Sequence, residues 1–152
     1  ATIEGHVVLI GNARLFEEVL AINLIANHRL IRSMHPLLRA SEAGRAVFIS
    51  SGASKSARAY WAPYAASKAG LDAFVLSYAA ELEITPIKAN LFDPGPTRTA
   101  MRAKAFPGED PATLPAPEMI APHIVAMLRA EYSENRQRVR YDSESGKVVP
   151  AA

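Results

Sequence analysis

Two incompatible periodicities alternate along this chain. Short runs rich in β-branched and aromatic residues stand at 6–13 ("HVVLIGNA"), 45–52 ("RAVFISSG") and 86–92 ("PIKANLF"), and each has the length and composition of a buried strand. Between the first two lies "LFEEVLAINLIANHRLIRSMHPLLRA", in which Phe16, Val19, Leu20, Leu24, Leu30, Ile31, Met34 and Leu38 recur at three and four. That spacing predicts a long amphipathic helix. Pro36 is expected to kink it or end it early, and Gly44 to cap its C-terminus. Between the second and third runs, "YAASKAGLDAFVLSYAAELE" aligns Leu71, Phe74, Val75, Tyr78 and Leu82 on one helical stripe, while Ala65, Ala69, Ala73 and Ala80 form a second face of small residues. After the break at "DPGP" the pattern predicts a proline-rich loop, a helix over 118–129, and a strand and turn in "RQRVRYDSESGKVV". Strands that alternate with helices of this length need crossover connections, which give a mainly parallel sheet with helices on both faces. The expected class is α/β, built as a single unit over residues 1–152.

Composition narrows the chemistry. With 152 residues and 49% hydrophobic side chains the chain can bury one sizeable core. It has no cysteine, which excludes disulfides, thiol catalysis and thiolate metal sites, and suits a reducing, cytoplasmic setting. A formal charge of +2 with no long basic run gives no reason to expect a nucleic-acid partner. Apolar runs such as "VVLI" fall far below the roughly 18 residues that cross a bilayer, so no membrane partner is expected. The histidines, His6, His28, His35 and His123, do not fall at metal-ligand spacing, and surface positions are expected for His28 and His35. Arg136, Arg138 and Arg140 alternate with Gln137, Val139 and Tyr141, which predicts a solvated strand face.

The segment with the most chemical content is "YAASK". Tyr64 and Lys68 are one helical turn apart and project from the same face of the predicted helix. An ammonium beside a phenol favours the phenolate, which makes such a pair suited to general acid and base work. Alone the pair is weak, since chance supplies one in roughly every six chains of this length and composition. Its neighbours add weight. Ser51 closes the second predicted strand thirteen residues earlier, and "PGPTRT" at 94–99 follows the third strand directly. Open parallel sheets collect ligand-binding groups at the carboxyl ends of their strands.

"AINL", "RAVFISS", "YAASKAGLDAFVLSYAAEL" and "KANLFDPGPTRT" resemble, in this order, the successive signatures of the short-chain dehydrogenase/reductase family. The resemblance runs from about Phe16 to the final strand and implies a Rossmann-like, doubly wound sheet. It implies Tyr64 as the catalytic acid and base, and Lys68 as the cation that favours its phenolate and bonds the nicotinamide ribose. Ser51 would hold the substrate oxygen, and Asn23 would support a water leading to the lysine. Pro94, Gly95, Thr97 and Thr99 would contact the cofactor, NAD or NADP, and Asn12 matches a further cofactor position. Tyr60 and Trp61 fall in the segment that would border the substrate, a carbonyl compound or secondary alcohol, and residues 101–117 in the one that would cover it. The two long helices resemble surfaces through which family members pair, which implies a homo-oligomer.

One part of the family pattern is not found in the sequence. No three glycines fall within six residues, so a G-x-G-x-x-G phosphate cradle cannot be written, nor the residue that would choose between NAD and NADP. "GNAR" at 11–14 is a degraded likeness of the family's Asn-Asn-Ala-Gly turn. The expectation is a truncated domain, the second half of a doubly wound fold, with "VVLI" turned into an edge strand. Two functions follow as expectations: hydride transfer with Tyr64 moving the proton, or an inactive remnant that serves as an association module.

Overall fold

The computed structural model describes residues 2–3, 6–7, 13–56 and 58–151. Its main sheet has four strands, β3 (Arg45–Ile49), β4 (Lys88–Asp93), β5 (Arg138–Asp142) and β6 (Lys147–Pro150), lying side by side in that order. β3 and β5 both run parallel to β4, and β6 returns antiparallel to β5 through a tight turn at Gly146. The α/β class and the mainly parallel sheet are as the alternating pattern predicts. Thr2–Ile3 (β1) and His6–Val7 (β2) form a separate two-stranded antiparallel ribbon. The described part of the run at 6–13 is therefore not in the main sheet. The remainder of "VVLI" and Asn12 lie outside the described residues.

Alternation of side chains along each strand divides the core into two layers. Ala46 and Phe48 of β3 and Ala89 and Leu91 of β4 face the long helix α3 (Ala62–Glu81), where Leu71, Val75, Tyr78, Ala79 and Leu82 are buried. Val47, Phe92, Val139 and Tyr141 face the other way, against Ile120, Ile124 and Met127 of α5 (Pro117–Met127). The stripe predicted for α3 is the buried one, with Phe74 half-buried at its margin.

The preceding helix departs from a straight 3.6 repeat. It begins as α1 (Ala13–Leu20), passes through a π turn at Ala21–Ile25 in which the Ala26 N–H reaches back to the Ala21 carbonyl, and continues as α2 (Ala26–Ala40). A π turn holds an extra residue and rotates everything beyond it. Beyond it Leu30 and Met34, which a regular helix would align with the core, are exposed, while Ile31 is buried. Gly70 permits the approach of Leu24, since a Cβ there would stand 3.1 Å from Leu24 Cδ2. Pro36 does not end the helix; α2 continues to Ala40, and because Arg32 and Pro36 are exposed, solvent can serve the carbonyl that proline leaves without a donor. Gly44 is not the cap either. The helix stops at Ser41, whose backbone turns extended and whose hydroxyl accepts from the Ala43 N–H at 3.2 Å. Gly44 is needed for space, since a Cβ would come within 2.7 Å of the Leu38 carbonyl oxygen.

Polar side chains lock the sheet at both ends. At the amino end, Arg45 donates to the carbonyls of Tyr132, Ala130, Gly44 and Pro86. Buried Asn90 donates to the Glu134 carbonyl and accepts from the Gln137 N–H, and Asn135 accepts from the Ala89 N–H while donating to the Ala79 carbonyl. These amides hold the entry to β5 against β4. Residues 94–116, predicted as loop, contain a short helix α4 (Ala100–Ala105), started by Thr99, whose hydroxyl accepts from the Arg102 N–H. The threonine is an ordinary N-cap, a signal that the surrounding prolines obscure.

Phe92 is completely buried between sheet and α5. Phe92→Ala is expected to cost roughly 3–5 kcal/mol of unfolding free energy in urea melts followed by circular dichroism. Ile84→Ala, at a position 99% exposed, is expected to change it by less than about 0.5 kcal/mol.

Candidate active site

β3 and β4, running parallel, end at the same edge of the sheet, where Ser51, Lys68 and the turn at Gly95 lie. Ser51 follows β3 in extended conformation and its hydroxyl accepts from the Ala53 N–H at 3.2 Å, which starts a short 3-10 turn at Gly52–Ser54. Tyr64 and Lys68 occupy the first turns of α3 and project alongside it. The Lys68 ammonium lies 5.8 Å from the centre of the Tyr64 ring and donates to the Ile49 carbonyl, the last of β3, at 2.9 Å. Burial pushes Lys68 below the ordinary lysine value near 10.5, while the carboxylates of Asp72 and Asp93 pull it back up.

Asn23 sits on the π turn. It donates to the Ser67 hydroxyl at 3.0 Å, and Ser67 donates to the Tyr64 carbonyl at 2.8 Å. Asn23 thus braces the first turn of α3 from behind. Gly95 adopts the left-handed conformation, φ 65°, that an ordinary side chain resists, and its N–H donates to Asp93. The Thr97 hydroxyl closes the same turn by donating to the carbonyls of Pro94 and Gly95, and Thr99 is occupied as the α4 cap.

The two aromatics before Tyr64 part company. Trp61 packs edge-on to Tyr64, with ring centres 5.7 Å apart, and lies 5.5 Å from Phe106 of the segment after α4. Tyr60 is 85% exposed, with φ 68°. Phe106 is held in turn by Arg102, whose guanidinium stacks 3.6 Å from its ring while donating twice to Glu109 at 2.6 Å. Those hydrogen bonds hold the Glu109 carboxyl below the usual carboxylate range.

Three residues at this edge escape sequence reasoning. Arg138, expected on a solvated strand face, has a side chain only 9% exposed. It ion-pairs with Asp72 at 3.0 Å and lies 3.9 Å from Asp93. Asp72 also accepts from the hydroxyls of Ser54, at 2.6 Å, and Ser50. A signal for Asp72 does exist in the sequence, since it falls four residues after Lys68 and therefore on the face that carries Tyr64 and Lys68. For Arg138 there is none, because strand alternation separates faces without saying which of them is wet. Three of the histidines pack against aromatic rings: His28 meets Phe74 edge-on, His35 is hydrogen-bonded to the Tyr78 hydroxyl at 2.8 Å, and His123 lies against Tyr141.

A phenol, a neighbouring ammonium and a hydroxyl thus lie where two parallel strands end. The chain belongs to the short chain dehydrogenase family, whose model matches residues 2–110. It is 36% identical over 136 residues to the oxidoreductase YciK of Escherichia coli K12, covering 90% of this chain and 53% of that protein. A short chain dehydrogenase structure from Pseudomonas syringae superposes with a TM-score of 0.83 at 35% identity, covering 88% of this chain and 55% of that one. One from Shigella flexneri, solved with NADP, gives 0.79 at 36% identity and covers 84% and 53%. The chain spans about half the length of the relatives it matches.

The depressed Lys68 carries a measurable consequence. In carbon NMR of lysine-labelled protein its midpoint is expected below that of lysine in an unstructured peptide. Because the folded state then binds fewer protons than the unfolded one, this lysine disfavours folding below its folded midpoint. The penalty is relieved as pH rises from that midpoint toward 10.5, a window in which the Lys68 contribution to stability increases with pH.

Proposed function

We propose that this chain carries the proton-transfer site of a nicotinamide-dependent oxidoreductase that interconverts a carbonyl compound and a secondary alcohol. The observation that carries the reading is the convergence of Ser51, Tyr64 and Lys68 at the carboxyl edge of the parallel sheet. The Tyr64 phenol delivers a proton to the carbonyl oxygen during reduction and takes it back during oxidation. The Lys68 ammonium, with donors to spare beyond its bond to Ile49, favours the transient phenolate. The Ser51 hydroxyl donates to the same substrate oxygen. The cofactor, NAD or NADP, supplies or accepts the hydride.

The residues present fit the nicotinamide end of such a cofactor. Lys68 would offer N–H donors to a ribose, and the left-handed Gly95 would let a flat group approach the backbone at residues 94–97. Relatives from Shigella flexneri and Escherichia coli have been solved with NADP and NADPH respectively, which supports a nicotinamide cofactor without choosing between the two. Trp61 and Phe106 give the substrate side an aromatic wall, so the substrate is a small molecule with apolar or flat surface next to its reacting carbon.

The reading extends to assembly. Leu15, Ile22, Leu30 and Leu37 are exposed along α1, the π turn and α2, and Ala69 and Ala73 are exposed on α3. Two long helices with apolar and small residues outward can pair with their symmetry mates in a homo-oligomer. The same face supports a second reading, an association module without turnover.

The test is a titration of the chain with NADH and NADPH, followed by nicotinamide fluorescence, beside carbonyl reduction assays and a sizing run. Saturable binding is expected, with turnover that falls by about 10²-fold or more in Tyr64→Phe while cofactor binding survives. Wild-type turnover in Tyr64→Phe would refute the proton-transfer role. A folded chain that self-associates but binds neither nucleotide would leave the association module as the function.

A further inference from the structure

The buried ion cluster at the carboxyl edge touches every segment of the proposed site while belonging to none of the groups that would meet substrate. Its centre is Arg138, contributed by β5, a strand that carries no candidate catalytic residue. Beyond Asp72 and Asp93, its guanidinium donates to the Ser51 carbonyl and the Ser54 hydroxyl, both at 3.1 Å. Asp93 in turn accepts from the Gly95 N–H at 2.9 Å, and Asp72 stands one helical turn beyond Lys68. A planar fork of five donors with a fixed geometry can hold several acceptors at once in a way that an ammonium cannot. Fully satisfied polar clusters of this kind rigidify what they join, and a charge of either sign left alone in one is costly.

We propose that Arg138 is a positioning residue of this site: gripped by Asp72, it fixes the backbone of Ser51 and, through Asp93, the turn at Gly95, so that the Ser51 segment, the Lys68 helix and the 94–97 turn are held as one body. The inference rests on the oxidoreductase reading for the meaning of the site, but not for the anchoring. Lys68 is the natural reporter. The groups that face it are Tyr64 and Asp72 on its own helix, the Ile49 carbonyl from β3 and Asp93 from β4, and Arg138 is the counter-cation of both carboxylates.

The experiment follows the Lys68 midpoint by carbon NMR in the full chain and in Arg138→Gln, Arg138→Lys and Asp72→Asn, together with the amide signals of Ala53 and Gly95. Carboxylates are ionised throughout the alkaline window in which lysines titrate. Arg138→Gln therefore leaves both of them to act on Lys68 alone and is expected to move its midpoint up, displacing both amides together. Arg138→Lys restores the charge and is expected to return the midpoint toward wild type, while the amides remain displaced because the fork is lost. Asp72→Asn removes an attracting charge and is expected to move the midpoint down. Should Arg138→Gln fail to fold, the other two variants, which keep a cation beside Asp93, decide the matter. A Lys68 midpoint common to all the folded proteins, or an amide response confined to one of the two turns, overturns the proposal. Because none of these signals needs turnover, an inactive chain that shows them would sink the oxidoreductase reading and leave the anchoring role in place. An active chain without them would do the reverse.

Discussion

Backbone pairing of β4 with β3 on one side and β5 on the other is the constraint from which the rest of this molecule is built. Register places Ile49 opposite Phe92, and Phe92 opposite Val139, so the carboxyl ends of two strands and the side of a third are brought level. Parallel pairs cannot be joined by tight turns, which forces α3 to cross the sheet between β3 and β4 and so returns its first turn to the edge where β3 ended. Ser51 and the start of α3 share that edge for this reason. The same rule brings α5 across the opposite face, where it covers Phe92 and Tyr141.

The two ends of the sheet are closed by guanidinium groups of different character. Arg45 binds only backbone carbonyls, a neutral acceptor set that asks for a donor fork and little else. Arg138 binds carboxylates as well, so its environment is tuned by charge. The edge that carries the candidate chemistry is thus the electrostatically structured one. The lysine there is both desolvated and flanked by acids, a combination common where a proton has to be handled near neutral pH.

Much of this was legible in the sequence. The strands at 45–49 and 88–93, the helix through Tyr64 and the coincidence of Ser51, Lys68 and Gly95 at one edge follow from periodicity and from the glycine and proline punctuation. What the sequence hid had physical causes. A π turn at Ala21–Ile25 leaves no compositional mark yet rotates a helix face, so Leu30 and Met34 were assigned to a core they do not enter. Gly44 resembled a cap because glycine serves both conformational and steric needs, and only the approach of the Leu38 carbonyl separates them. Arg138 looked like surface because a buried arginine is recognised by its partners, and Asp72 lies 66 residues away.

Tyr60 offers a last point. A residue with a Cβ pays roughly 1–2 kcal/mol to sit at left-handed angles, and Tyr60 does so while 85% exposed, with no burial of its own to offset the cost. That strain sits directly before Trp61, whose ring packs against Tyr64 and Phe106. Segments of that kind open well before the fold as a whole does. In hydrogen exchange the amides around Trp61 would trade with solvent ahead of those of β4.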